Sequence, residues 1–163
     1  MLREGYLRNF IFGVEDSLVS TVGFVSGIAS ASVERSTLLL AGSVLIFVEA
    51  FSMGVGAFLS EESTLEARYR HRIRPLKSML DGAVMFVSYL AAGFLVLSPY
   101  AFGPPDESVL RSAALSLVLL FLLGVLSARI ARLPVIARGF RMMLVGGLAI
   151  VLGIMVATFI RGV

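Results

Sequence analysis

The chain has 163 residues, 58% of them hydrophobic, and a mean hydropathy of +0.94. A water-soluble domain of this size needs more polar surface, so the composition excludes an ordinary soluble enzyme and indicates an integral membrane protein. The absence of cysteine excludes disulfides and thiolate metal sites, a single histidine, His71, excludes a poly-histidine site within one chain, and the formal charge of +3 rests almost entirely on arginine.

Five apolar segments stand out, at 10–31, 37–60, 82–103, 109–128 and 142–160. Each is long enough to cross a hydrocarbon core of about 30 Å as a helix. The first contains "GVEDSLVSTVGFVSG", with the adjacent acids Glu15 and Asp16. Asp16, Ser20, Gly23 and Gly27 recur at helical spacing, so they share a face that is polar at one end and small further on. Gly23 and Gly27 form a GxxxG pair, which permits close helix contact. The second, "LLLAGSVLIFVEAFSMGVGAFLS", has Glu49 near its midpoint, and Gly42, Glu49, Met53, Gly56 and Ser60 share a face by the same spacing.

The joint at 61–81 opens with Glu61, Glu62 and Glu66 and has no helix breaker before Pro75. A Glu66–Arg70 pair at i,i+4 supports a helix there, so the second helix is expected to run on for two or three turns. The joint at 129–141 is basic and amphipathic with Pro134 inside it, and is expected to lie on the anionic inner leaflet. Arg3 and Arg8 precede the first span without a small-residue cleavage site, so no cleaved signal peptide is expected. No internal repeat is evident, and residues 1–163 read as a single transmembrane domain.

Charge sorts the joints by side. The N-terminus and the second and fourth joints hold eleven of the fourteen basic residues. The positive-inside rule places these in the cytoplasm, which puts the C-terminus outside.

The acids within the spans carry the functional argument. An ionised carboxylate near the bilayer centre must be paired, hydrated or protonated, and is a functional candidate by default. If the two polar faces meet, Asp16, Glu49 and Met53 line one cavity. Carboxylate oxygen with thioether sulfur suits Fe2+, Mn2+ or Co2+ better than Ca2+ or Mg2+. Metal would compete with protons at the same acids, which is a basis for exchange. Glu15 either joins this site or meets the headgroups beside Arg8. Glu61, Glu62 and Glu66 form either a solvated helix surface or a metal-collecting vestibule. His71 reads as surface.

These residues resemble the vacuolar iron transporter family. "GVEDSLVSTVGFVSGIASA" is similar to its first helix, "LLLAGSVLIFVEAFSMGVGAFLS" to its second, "FLVLSPYAF" to the end of the third and "LVLLFLLGVLSARI" to the fourth. The resemblance implies an all-α integral membrane protein with five transmembrane helices, a homodimer with the pathway between protomers. It also implies proton-coupled export of Fe2+, with Mn2+ as a second cargo, from the cytosol. Asp16 and Met53 become pathway ligands with Glu49 alongside; Glu15, Glu62 and Glu66 complete the metal-binding candidates, and Glu49 and Asp16 carry the proton coupling. Two departures stand out. Ala57 occupies the place of a glutamate common in the family, so either metal relay differs there or Glu61 and Glu62 take it over. The joint after the second helix is about twenty residues, where plant-type members insert a cytoplasmic metal-binding segment. The expected partners are metal ion, protons and the lipid bilayer, with no nucleic acid and no resident cofactor, and the expected setting is a prokaryotic cell membrane. The competing readings are a proton-coupled transporter of another solute and a structural membrane subunit.

Overall fold

The computed structural model describes residues 2–69 and 75–161. His71 and the Glu66–Arg70 pairing fall outside them. The described chain is five helices: α1 (Leu2–Ser30), α2 (Arg35–Tyr69), α3 (Pro75–Phe102), α4 (Pro105–Ala131) and α5 (Val135–Arg161). All five are long and apolar enough to span a membrane.

Each helix overshoots its apolar segment because polar residues at its ends remain helical. The expected extension of α2 is present and reaches Tyr69. The basic joint at 129–141 is corrected: there is no separate surface segment. Residues up to Ala131 complete α4, and Val135 opens α5. Between them Arg132 adopts the left-handed conformation at φ 56°, and Leu133 N–H closes on the Ala128 carbonyl at 2.9 Å. Those bonds satisfy carbonyls that the helix end leaves free, and Pro134 cannot continue α4. Pro99, inside α3, removes the N–H that would reach the Leu95 carbonyl. The Ser98 hydroxyl donates to that carbonyl instead, at 2.7 Å, as lipid surroundings require.

α1 is the central helix and packs against all four others. Half of the most apolar stretch of α1 and of α3 is buried, against 6% for α5. One core cluster gathers Leu18, Val22, Ala92, Val96, Leu120 and Met142 from α1, α3, α4 and α5. A second joins Val25 and Ala29 to Leu38, Ile46, Leu97 and Tyr100. Many large apolar side chains are exposed, among them Leu40, Phe47, Phe51, Leu144 and Phe159. Lipid is the medium that covers such a surface without cost.

The small residues of α1 meet α5 of the same chain. A Cβ on Gly23 would stand 2.9 Å from the Ala149 carbonyl oxygen, and one on Gly27 2.7 Å from that of Gly153. The GxxxG face is therefore filled within the chain and supplies no argument for dimerisation. A comparable contact joins α2 to α3, where a Cβ on Gly82 would stand 2.7 Å from the Gly54 carbonyl oxygen. Gly82→Ala is expected to cost about 1–3 kcal/mol by forcing these helices apart, read as a lowered unfolding midpoint in detergent.

Candidate functional site

A cavity of about 1020 Å³ lies at the end of the bundle where α1 begins, α2 ends and the α4–α5 turn sits. Its wall takes Arg8, Asn9, Phe12 and Glu15 from α1, and Ser52, Met53, Gly56, Ala57 and Ser60 from α2. Met85 of α3, Ser127 of α4 and Arg138 of α5 complete it. It lies among the arginine-rich joints.

The predicted site residues divide between this cavity and a deeper layer. Glu15 and Met53 share the cavity wall, each half-buried. Asp16 and Glu49 do not line it. They are also half-buried, and the charge of Glu49 on α2 acts on Asp16 on α1. Two acids near the middle of neighbouring helices are thus close enough for one charge to act on the other. The cations that act on Glu15 are Arg138 and Arg141 of α5, so Arg8, although in the cavity, is not its partner. The α2 face is also narrower than its spacing suggests. Met53, Gly56 and Ser60 line the cavity, whereas Gly42 turns to α3, where a Cβ would meet Leu97 at 2.8 Å.

Sequence reasoning missed Tyr89. This fully buried α3 side chain brings its hydroxyl to 2.6 Å from the Ser20 hydroxyl, and the charges of both Asp16 and Glu49 act on it. The Ser17 hydroxyl donates to the Tyr89 carbonyl at 2.7 Å, which locks α1 to α3 beside Asp16. A tyrosine within "FVSYLAAG" looks like packing, and only the neighbouring helix reveals its polar company. Asn9 and Asp81 were missed as well. They form a buried side-chain bond of 2.9 Å between α1 and α3.

Of the acids beyond the cavity, Glu61 is engaged by Lys77 across the α2–α3 seam. Glu62 is half-buried and Glu66 exposed on the last turns of α2. Ala57, where a family glutamate is common, is in the cavity wall. Among the described residues, no three histidine or acidic side chains converge tightly enough to hold a metal ion. Within one chain the candidate residues are therefore separated, with Glu15 and Met53 at the cavity and Asp16 and Glu49 outside it.

The comparisons with known proteins agree with this architecture. Residues 7–78 and 65–158 match the model of the VIT family. The chain is 28% identical to vacuolar iron transporter 1 of Oryza sativa subsp. japonica and 29% identical to vacuolar iron transporter 1 of Tulipa gesneriana, each match covering 72% of the chain. It spans about half the length of these relatives, 48% and 49%. It is also 26% identical to an uncharacterized protein of Methanocaldococcus jannaschii, over 90% of the chain and 85% of that protein. With the family model matched along nearly its whole length, the chain belongs to the VIT family.

Proposed function

We propose that this protein exports divalent transition metal, Fe2+ with Mn2+ as a second cargo, from the cytosol in exchange for protons. The observation that carries the reading is the cavity with Glu15 and Met53 in its wall, together with the charge of Glu49 acting on Asp16, the residue next to Glu15. The proposed topology has the N-terminus in the cytoplasm and the C-terminus outside, which makes the cavity the cytoplasmic entrance. The proposed setting is a prokaryotic cell membrane.

In this mechanism Glu62 and Glu66, on the protruding end of α2, raise the local cation concentration at the entrance. The cation sheds part of its water against the Glu15 carboxylate and the Met53 thioether. The thioether sulfur favours a later transition metal over Ca2+ or Mg2+. Arg138 compensates Glu15 while no metal is present, and its field must be overcome when metal enters. Asp16 and Glu49 then receive the cation. Two carboxylates whose charges act on each other repel when both are ionised, so either a divalent cation or a proton relieves them. That shared preference makes the two cargoes exclude one another, and exclusion is what exchange requires.

The set of ligands in one chain is open, so a second copy is proposed to complete it. The exposed apolar α2 face, Leu40, Val44, Phe47, Val48 and Phe51, is the proposed contact.

The deciding experiment uses purified protein in liposomes. Fe2+ and Mn2+ uptake is measured with a proton gradient imposed or collapsed. Flux that follows the gradient supports exchange, and no flux of either metal under any gradient overturns the reading. A gain-of-function variant tests the cavity separately. Ala57→Glu adds a carboxylate to the wall and is expected to lower the half-saturating Mn2+ concentration several-fold. An unchanged value would show that metal does not pass this wall.

A further inference from the structure

One acid has no part in the route described so far. Asp81, in the second turn of α3, is fully buried. Its Oδ1 accepts a hydrogen bond of 2.9 Å from Nδ2 of Asn9 on α1, and its Oδ2 has no hydrogen-bond partner. Gly5, one turn before Asn9, packs against the same carboxyl, where a Cβ would stand 3.3 Å from Oδ1. The charged groups around it are Arg8 on α1, Glu61 on α2 and Lys77 on its own helix. Tyr6 of α1 acts on Lys77. Lys77 is already engaged by Glu61, and Asp81 has no ion-pair partner among the described residues. Asn9 is 5% exposed and lines the cavity that holds Glu15 and Met53. The carboxyl thus sits directly behind the cavity wall, with one oxygen held and the other free.

This arrangement suits a proton and not a metal ion. A metal needs several converging donors, and Asp81 presents one free oxygen in a place where no acidic or histidine cluster gathers among the described residues. A proton needs a single lone pair. The amide N–H of Asn9 can donate to Oδ1 whether the carboxyl is ionised or protonated. Asp81 can therefore gain and lose a proton at Oδ2 without releasing α1.

We propose that Asp81 is a proton-binding site of the transport cycle, loaded from the cavity past Asn9. The inference rests on the exchange reading above and adds a station that the metal does not visit. The step is the formation of one O–H bond at Oδ2, with the proton taken from cavity water and later returned to it. Protons would then have a stop beside the entrance, while Asp16 and Glu49, deeper in, receive the cation.

Two measurements test this. Infrared difference spectra across a pH ramp, on metal-free protein in lipid vesicles, compare wild type with Asp81→Asn. A protonated-carboxyl band that titrates in wild type and is missing from the variant is expected, and identical spectra would overturn the proposal. Mn2+ uptake is then followed with and without an imposed proton gradient. In Asp81→Asn the acceleration by the gradient is expected to fall at least ~fivefold, while uptake without a gradient stays within about twofold of wild type. Undiminished acceleration would overturn the proposal, as would equal loss with and without the gradient. Should Asp81→Asn not fold, Asn9→Ala keeps the carboxyl and removes its tether. A shifted midpoint of the infrared band is expected there, and an unshifted one counts against Asp81. Wild type that carries no Mn2+ would sink the exchange reading, whereas a silent Asp81 in a coupled wild type would sink only this inference.

Discussion

Asp16→Ala is expected to reduce metal flux at least ~tenfold in proteoliposomes, the scale on which lost metal-site groups act, with the fold retained. Asp16 is half-buried at mid-helix and interacts with Glu49 across the α1–α2 contact. No hydrogen bond among the described residues depends on its carboxyl, so its removal takes a charge and little from the packing. The neighbouring Ser17–Tyr89 and Ser20–Tyr89 bonds still hold α1 to α3. The check is a pair of measurements on one preparation: Mn2+ uptake and the thermal unfolding midpoint. Lost uptake with an unchanged midpoint assigns Asp16 to transport. Wild-type uptake would remove it from the mechanism, and a collapsed midpoint would make it a structural acid. Glu49→Gln serves as the companion, since the pair should fail together.

Gly153→Ala is expected to have the largest structural effect of an added methyl at any described glycine. A Cβ on Gly153 would overlap the carbonyl group of Gly23, so the backbones of α1 and α5 must separate. Overpacking of this kind costs about 1–3 kcal/mol where a neighbour can yield, and a backbone carbonyl cannot swing aside as a side chain does. Gly147→Ala, on the same helix with nothing within 4 Å of the added atom, is the control and should leave the midpoint unchanged or slightly raised. Equal effects of the two would show that the α1–α5 approach is looser than the structure has it.

The five spans were legible because a hydrocarbon layer demands long uninterrupted apolar runs, and nothing else in a short chain produces them. Helix ends were less so, since hydropathy marks the part that meets lipid and not the part that is helical. Glu61, Glu62, Ser63, Thr64 and Glu66 are polar and still wound into α2. The GxxxG pair showed that α1 offers a small face but not that α5 would take it, because periodicity describes one helix at a time. The same limit explains the site. Spacing put Asp16 with Ser20 and Glu49 with Met53, while the packing angle decides which reach the cavity, and it selects Glu15 with Met53. Asp81 was hidden at the edge of a polar joint. Its isolation between Leu80 and Gly82, with apolar residues on either side, was the available signal.

One consequence of the long α2 concerns engineering. Its 35 residues amount to about 52 Å of helix, more than the roughly 40–45 Å of a bilayer with its headgroups. The end of α2 and the start of α3 form a short braced stalk, clamped by Glu61 and Lys77. The two stretches matched to the family model overlap here, at residues 65–78. Extra chain spliced between Tyr69 and Pro75 would hang from that stalk in water, loading neither the glycine seams nor the lipid face. A fluorescent reporter fused there is expected to leave the helix packing beneath it undisturbed.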